Sequence, residues 1–311
     1  MLINTPSKKI SIQTKEKTNK THIFSGSYLC QPSSYQKKIN ITDDPYKKNH
    51  RFVFMHNGQC LASIDPDVIL FFKVTDLKKE INSNNCIFLG EFNHDLIFAY
   101  ELNKKESLSL EKIGTFFNLR ILAINLSIEE SNFAAKAAIL IDWHKNNKFC
   151  SKCASKTKQN LHGQTRKCSN NKCEYQIFPK LNPAIIVLVM NKNHCLLGRQ
   201  KNWPHKQFST IAGFVEPAES IEDTVVREVF EETNIRVGSI KYHSSQPWPF
   251  PSSLMLGFTA VALSNKIKLN DNELEEAGWF SREDLASGLI KLPPKLSISR
   301  ALINGWINDK Y

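Results

Sequence analysis

The stretch GFVEPAESIEDTVVREVFEETNI, residues 213–235, carries the strongest pattern in this 311-residue chain. Ser220 followed by Asp223 is typical of the capping box that begins a helix. The spacing therefore predicts a helix from about Ile221 to Thr233. Four apolar residues fall on one arc of that helix and can pack on a sheet. They are Val225, Val226, Val229 and Phe230.

A second arc of the same helix is acidic. Glu228, Glu231 and Glu232 fall within roughly 100° of one another at the helical repeat. Only Arg227, four residues before Glu231, is placed to relieve their repulsion. Such a face is typical of a site for a hard divalent cation held by oxygen ligands. A solvated acidic face has the same composition, and charge alone does not separate the two interpretations.

Four cysteines form two close pairs, Cys150-x2-Cys153 and Cys168-x4-Cys173, with fourteen residues between the pairs. This pattern predicts one Zn²⁺ ion in a closed site of four thiolates, which is a structural rather than a catalytic arrangement. The segment between the pairs is too polar to build its own core, so the metal would supply folding energy. Two disulfides or four free thiols are the alternatives. Disulfides are disfavoured because the N-terminus shows no export pattern.

Residues 245–253 read SQPWPFPSS. Three prolines interleaved with Trp and Phe predict a stiff, extended segment. Such a segment can present aromatic faces to a nucleobase, and stacking contributes about 1–3 kcal/mol per base. A hydrophobic loop that fills a core is the alternative.

Two of these motifs resemble one family. The spacing Gly-x5-Glu-x7-Arg-Glu-x2-Glu-Glu that begins at Gly213 resembles the Nudix box, with Asn234 where glycine is usual. SQPWPFPSS is similar to the signature of the NADH pyrophosphatase (NAD⁺ diphosphatase) branch of that family, and the cysteine element lies just upstream as in that branch. FPKLNP at 178–183 also resembles a stretch of the branch, with Phe178 in place of a tyrosine.

The resemblance implies metal-dependent hydrolysis of the pyrophosphate bond of NADH or NAD⁺, giving NMN(H) and AMP. It implies catalytic roles for Arg227, Glu228, Glu231 and Glu232. It implies Mg²⁺ or Mn²⁺ ligands at those three glutamates, at Glu273 and at the backbone carbonyl of Ala212. It implies substrate contacts at Phe178, Gln246, Pro247, Trp248, Pro249, Phe250, Pro251, Ser252, Ser253 and Ser299.

The expected fold is α+β: a β-rich N-terminal domain, a zinc ribbon and a Nudix α/β/α sandwich with a mixed sheet. The expected units are a disordered basic arm (1–22), the N-terminal domain (23–126), a linking helix (127–147), the ribbon (148–178) and the Nudix domain (179–311). The first 60 residues hold ten basic and three acidic residues, a net +7 of the chain's +11. A solvated arm and a guide for RNA are both compatible with that charge.

An alternative substrate is the NAD cap of RNA, which the same chemistry would convert to 5′-monophosphate RNA and NMN. A nucleic-acid-binding zinc-ribbon regulator with an inactive Nudix domain would have lost carboxylates of the box, and none is lost. The resemblance further implies a homodimer. No apolar run reaches the roughly 18–20 residues of a membrane span, so we expect a cytoplasmic protein without a membrane partner.

Overall fold

The computed structural model describes residues 22–26, 49–63, 70–73, 81–82, 85–270 and 273–311. The basic arm predicted at 1–22 lies outside these residues, apart from His22. Within the described ranges the strands form three sheets, which lie in the N-terminal domain, the cysteine-rich segment and the C-terminal domain. No helix in these ranges combines the length and the apolar character that crossing a membrane requires.

The N-terminal domain contains a five-stranded sheet with the order β3-β4-β1-β2-β5. Its strands are β1 (His50–His56), β2 (Gln59–Ala62), β3 (Ile87–Phe92), β4 (Asp95–Glu101) and β5 (Thr115–Asn118). Three helices accompany it: α1 (Lys104–Leu110), α2 (Leu119–Leu122) and α3 (Ile128–Asn146). Strand β1 alternates between two cores, as a strand buried on both faces must. Phe52 and Phe54 stack on one face, and Val53 and Met55 pack on the other.

Helix α3 lies where the sequence predicted a linking helix, at residues 127–147. It begins after Ser127, whose hydroxyl accepts a hydrogen bond from the backbone N–H of Glu130. Phe133 and Ala134 are fully buried in the same cluster as Val53 of the sheet. The helix is therefore part of the core of the N-terminal domain. The alanine-rich pattern predicted a helix correctly, but it contains no information about which sheet the helix covers.

The cysteine-rich segment folds as a small antiparallel sheet. Its strands are β6 (Thr157–Asn160), β7 (Thr165–Cys168) and β8 (Gln176–Ile177), with β7 in the centre. The four cysteines lie at the ends and turns of these strands. The ribbon predicted at 148–178 is thus a compact three-stranded element.

The C-terminal domain is built on a six-stranded mixed sheet. Its strands are β9 (Asn182–Asn191), β10 (His194–Arg199), β11 (Ile211–Phe214), β12 (Val237–Trp248), β13 (Ser253–Ala262) and β14 (Glu276–Ser281). Strand β9 runs parallel to β13 and antiparallel to β10 and β11. Its helices are α4 (Ile221–Thr233), α5 (Arg282–Ala286) and α6 (Ile298–Ile307).

Helices cover both faces of this sheet. Val225 and Val229 of α4 share a core with Ile185 and Val187 of β9. Leu302 of α6 shares a second core with the alternate β9 side chains on the opposite face. This arrangement confirms the predicted α/β/α sandwich with a mixed sheet, and it places the acidic helix α4 beside strand β11.

Candidate active site

Helix α4 is fixed at both ends by its own sequence. The hydroxyl of Ser220 accepts a hydrogen bond from the backbone N–H of Asp223 at 3.1 Å, which completes the predicted capping box. The helix ends where Asn234 takes the left-handed conformation with φ 62°. The backbone N–H of Asn234 donates to the carbonyl of Phe230 at 2.7 Å. Because asparagine tolerates this conformation, its presence in place of glycine preserves the helix end.

Glu228 lies directly against the backbone of Gly213. A Cβ atom at position 213 would stand 1.9 Å from Cδ of Glu228 and 2.0 and 2.3 Å from its two carboxylate oxygens. The backbone of Gly213 is not left-handed, so the need for glycine is one of space. Ala212, whose carbonyl is an expected metal ligand, is the neighbour of Gly213 in strand β11.

Arg227 joins the carboxylates into one network. Its Nε and Nη2 donate to the two oxygens of Glu219 at 2.5 and 2.9 Å. Its Nη1 lies 3.0 Å from an oxygen of Glu228 and 3.0 Å from an oxygen of Glu231. Nη2 also donates to the backbone carbonyl of Phe214 at 2.9 Å. The guanidinium therefore fixes the loop before the helix and the acidic face at the same time.

The pKa shifts of Glu219 and Glu228 have opposite directions. Hydrogen bonding from Arg227 lowers the pKa of Glu219 to about 2, so this carboxylate is a permanently charged partner for the arginine. Burial raises the pKa of Glu228, and the charges of Glu231 and Glu273 act in the same direction. A carboxylate whose charge is disfavoured in this way is stabilised by an added cation. Glu228 therefore has the properties of a metal ligand.

The other predicted glutamate ligands differ in their exposure to solvent. Glu231 is exposed, with 53% of its side chain accessible. Glu232 is buried at 4% exposure, and Glu273 is exposed on the loop before β14. Among the described residues, the four cysteines are the group that brings at least three ligand atoms within 4.8 Å of one another, so the glutamates are spread more widely. This donor set still suits Mg²⁺, which keeps several waters and binds through few carboxylates.

The four cysteines converge as a zinc site requires. Their sulfur atoms all lie within 4.8 Å of one another. The Sγ atoms of Cys150 and Cys173 are 3.8 Å apart, and those of Cys153 and Cys168 are 3.5 Å apart. Four thiolates at a Zn–S distance of about 2.3 Å would be separated by about 3.8 Å. All four are free thiols, which excludes the disulfide alternative in this structure.

The ribbon is tied to the N-terminal domain through polar contacts. Gln159 and Gln164 donate to backbone carbonyls of the sheet at 2.6 and 2.5 Å. His144 of α3 has Nε2 2.9 Å from the carbonyl of Gly163 and Nδ1 2.8 Å from Nη1 of Arg166. A carbonyl only accepts and a guanidinium only donates, so His144 is neutral with its proton on Nε2. Burial lowers its pKa to about 4, which agrees with that assignment.

Gln246 is placed inside the protein. It has no exposed surface. Its Nε2 donates to the carbonyls of Ile23 and Leu296 at 3.1 and 2.8 Å, and its Oε1 accepts from the N–H of Ile298 at 2.8 Å. The side chain thus joins the N-terminal segment, a C-terminal loop and helix α6. These contacts fix the position of the side chain, and its predicted contact with substrate stays a prediction.

Residues 22–26, which we call the strap, pack against the aromatic loop. Phe24 is fully buried and makes edge contacts with Trp248 and Phe250 at ring distances of 6.2 and 5.9 Å. Its backbone N–H donates to Ser131 of α3 at 3.0 Å. The strap therefore connects helix α3 of the N-terminal domain to the loop at residues 245–253.

A cavity of about 300 Å³ opens beside the same loop. Gln246, Trp248 and Ser299 line it, so the structure brings these three predicted residues together. Ser299 is buried, and its hydroxyl contacts those of Ser209 and Thr210, each at 2.9 Å.

The other predicted substrate residues do not line this cavity. Phe178 is 57% exposed, and Pro249 and Pro251 line a separate cavity of about 340 Å³ against the N-terminal domain. Pro247 lies within strand β12, and Ser253 is buried at the start of β13. Phe250 contacts the strap, and Ser252 lies at the turn between β12 and β13.

Sequence reasoning did not single out four residues that the structure places at the site. Glu219 is part of the Gly-x5-Glu spacing, but the sequence analysis gave it no role, although it is the main partner of Arg227. Arg120 and Trp203 line the cavity from distant parts of the chain. Phe214, next to Gly213, is 58% exposed. The box spacing could have identified Glu219 and Phe214, whereas the contribution of Arg120 depends on how the two domains pack.

Comparison with known families agrees with this geometry. A family model described as a NUDIX domain matches residues 180–302. Residues 180–302 therefore form a Nudix domain. A second model, described as an NADH pyrophosphatase-like rudimentary NUDIX domain, matches residues 49–143. The β-rich N-terminal domain is thus a rudimentary Nudix domain, and its match includes most of α3, in agreement with the packing of that helix.

Three relatives illustrate the branch. The NAD-capped RNA hydrolase NUDT12 of Macaca fascicularis is 41% identical over 199 residues, covering 59% of this chain and 43% of that protein. The mitochondrial NAD(P)H pyrophosphatase NUDT13 of Homo sapiens is 37% identical over 224 residues, covering 66% and 63%. The NAD-capped RNA hydrolase NudC of Mycobacterium bovis is 36% identical over 203 residues, covering 61% and 64%. The chain therefore spans 43–64% of the length of these relatives, and they support its place in the NADH pyrophosphatase branch.

Proposed function

We propose that the protein hydrolyses the pyrophosphate bond of NADH or NAD⁺ in a metal-dependent reaction that gives NMN(H) and AMP. The main support for this proposal is the close contact of Glu228 with the backbone of Gly213. Arg227, the neighbour of Glu228, forms ion pairs with Glu219 and Glu231. The names of the relatives support the same substrate class, because they act on NAD(P)H or on the NAD cap of RNA.

The metal would be Mg²⁺ or Mn²⁺. Its ligands would be Glu228, Glu231, Glu232, Glu273 and the carbonyl of Ala212. When bound, it would screen the charge of the pyrophosphate and lower the pKa of a coordinated water. The raised pKa of Glu228 and the proximity of two further carboxylates support a cation at this place.

The side chains of the site would have different roles in the reaction. Arg227 holds the acidic face in one arrangement before substrate arrives, which lowers the cost of ordering it during the reaction. Glu231 is our choice for the residue that activates water, because it is exposed and is held 3.0 Å from Arg227. Glu232 is buried and is better suited to a ligand role. Trp248 lines the cavity where a nucleoside would lie.

The four cysteines would bind one Zn²⁺ per chain with no catalytic role. Four protein ligands leave no open position for water or substrate. The ribbon contacts the N-terminal domain through Gln159, Gln164 and Arg166. We propose that the zinc fixes the shape of this connection.

Glu232→Gln tests the proposal. The substitution keeps the size of the side chain but removes its charge, so we expect NADH turnover to be abolished while the melting temperature stays unchanged. Glu222→Gln, on the exposed first turn of the same helix, is the matched control and should retain full activity. Products should be separated by chromatography with Mg²⁺ or Mn²⁺ present. Full activity of the Glu232 variant would contradict the proposed site.

A second candidate substrate is NAD-capped RNA. The activity of two relatives, both NAD-capped RNA hydrolases, and the basic N-terminal sequence favour it. Deletion of residues 1–21 removes five lysines and one glutamate but keeps the strap. If RNA is the main substrate, kcat/KM for capped RNA should fall several-fold and become less sensitive to salt, with kcat/KM for NADH unchanged. If the deletion leaves kcat/KM unchanged for capped RNA and for NADH, the arm has no role in either reaction.

The expected homodimer and cytoplasmic location stay predictions. Light scattering on the purified protein measures the first, and imaging of the tagged full-length protein measures the second. An inactive regulator would hydrolyse neither NADH nor capped RNA when the metal is supplied.

A further inference from the structure

The surface of the ribbon is strongly basic. Residues 148–178 contain seven basic residues and one acidic residue, Glu174. Four thiolates and one Zn²⁺ together carry a charge of about −2, so a zinc-bound ribbon is still positive. Six of the basic residues are exposed lysines: Lys148, Lys152, Lys156, Lys158, Lys167 and Lys172. The positive charge is therefore at the surface, where a partner can reach it.

The small sheet of the ribbon has two different faces. Gln159 and Arg166 are paired across β6 and β7, and both contact the N-terminal domain. Gln159 donates to a backbone carbonyl of that domain at 2.6 Å, and Arg166 contacts helix α3. Successive side chains of a strand alternate between faces, so the next pair, Lys158 and Lys167, lies on the other face. Both lysines are exposed, and we call this side of the sheet the lysine face.

The pairing of Lys158 with Lys167 is unfavourable by itself. Like charges directly opposite one another on antiparallel strands destabilise a sheet. Lys158 forms no ion pair within the described part of the chain. Lys167 pairs with Glu174 at 2.7 Å, but both side chains are exposed, and such a pair contributes little in water. A bound anion would relieve this repulsion, so the lysine face is suited to a negatively charged partner.

The chain leads directly from the ribbon to the active site. Strand β8 ends one residue before Phe178, and Lys180 is exposed two residues later. The carbonyl of Pro183 accepts a hydrogen bond from the N–H of Val215 at 3.1 Å, two residues after Gly213. At about 3.4 Å per residue, the five steps from Phe178 to Pro183 span at most about 17 Å. The end of the ribbon is therefore close to the loop that begins the acidic helix.

Exposed aromatic rings accompany the lysines. Phe149 and Phe178 are 61% and 57% exposed, and Nζ of Lys152 lies 4.6 Å from the ring centre of Tyr175. Proteins that bind single-stranded nucleic acids combine a basic surface, which follows the phosphates, with aromatic rings on which bases stack. An acidic polypeptide or an anionic lipid has no bases to stack. Among polyanions, the combination of lysines and aromatic rings favours a single-stranded nucleic acid.

We propose that the lysine face binds the single-stranded RNA that follows the cap of a capped RNA. Lys158 and Lys167 contact its phosphates, and the 5′ end reaches the active site past Phe178. The position of the 5′ end rests on the proposed function, with capped RNA as the substrate. The ribbon thus has a binding role in addition to its structural role, and it distinguishes a long substrate from a free dinucleotide.

RNA binding tests the proposal without any hydrolysis. A fluorescent 5′-monophosphate RNA of single-stranded sequence should be titrated with protein in the absence of Mg²⁺ and Mn²⁺, and its anisotropy followed at several salt concentrations. The variants are K158Q/K167Q, the charge-preserving K158R/K167R, and K104Q/K105Q. The last removes two exposed lysines from helix α1 and is matched in charge to the first. Zinc content and a thermal melt verify that each variant is folded.

The expected effect follows from counterion release. Each phosphate contact to a single strand contributes about 0.7 to the slope of log Kd against log salt, so K158Q/K167Q should reduce that slope by about 1.4. This corresponds to about tenfold weaker binding at about 0.15 M salt. K158R/K167R and K104Q/K105Q should bind like wild type. K158Q/K167Q should keep kcat/KM for NADH within twofold, and it should not melt below wild type, because two facing charges are gone.

Three results would overturn the proposal. K158Q/K167Q binds the RNA like wild type, K104Q/K105Q weakens binding as much, or polyglutamate displaces the RNA as well as unlabelled RNA of the same charge does. The last two results would show that only total charge matters. If wild-type protein hydrolysed neither NADH nor capped RNA, the proposed function alone would fail, because the anisotropy measurement involves no hydrolysis.

Discussion

Gly213→Ala should remove activity while leaving the fold intact. The new Cβ would lie 1.9 Å from Cδ of Glu228, whereas ordinary contacts begin at 3.4 Å. The carboxylate must therefore retreat by about 1.5 Å from its place beside Ala212. A displacement of about 1 Å at a reacting centre can cost about 100-fold in rate. We expect kcat/KM for NADH to fall by at least that factor.

The stability of this variant should change little. Gly213 has no left-handed conformation, so alanine introduces no backbone strain, and the glutamate side chain can rotate away. Gly238→Ala is the matched control in the same sheet, because its Cβ would meet only the side chain of Leu263 at 3.4 Å. Steady-state kinetics at saturating Mn²⁺ and a thermal melt are sufficient for both variants. If the activity of Gly213→Ala stayed within threefold of wild type, the reaction would not require the carboxylate of Glu228 to lie against Gly213.

The remaining predictions concern the zinc ribbon, acid stability and the strap. Purified protein should contain one zinc per chain by elemental analysis, and Cys168→Ser should lose that zinc and melt at a lower temperature; full stability of zinc-free protein would refute a structural metal. The pKa of His144 is about 4 in the folded protein and 6.5 in the unfolded chain. Its contribution to the free energy of unfolding is therefore fully present above pH 6.5 and is lost as the pH falls towards 4. At 1.36 kcal/mol per pKa unit this amounts to about 3 kcal/mol, and urea unfolding between pH 7 and 4.5 should show a smaller loss in His144→Leu; equal losses in both proteins would refute it. Phe24→Ala should raise KM for NADH several-fold because Trp248 loses an edge contact, and an unchanged KM would show that the strap does not position the loop.

Local features of the site followed from the sequence. Ser220, Asp223 and Asn234 define the ends of α4 through contacts within a few residues, so the motif was sufficient to predict the helix. The cysteine spacing similarly predicted the convergence of four thiols. In both cases the contacts join residues that are at most 23 positions apart in the sequence.

Features that depend on contacts between distant segments of the chain could not be predicted from the sequence. The contacts of Gln246 could not be predicted, because its partners Ile23 and Leu296 lie 223 and 50 residues away in the chain. Arg120 lies on a short helix without any motif. It reaches the cavity because the N-terminal domain packs against the aromatic loop, as its contact with Phe250 shows.

The most direct test of the account is the reaction itself. Pure protein should be incubated with NADH and Mn²⁺ or Mg²⁺, beside a metal-free control, and the products separated by chromatography. NMNH and AMP should form in equal amounts, and only when the metal is present. Absence of turnover with NADH and NAD⁺ at saturating metal would contradict it.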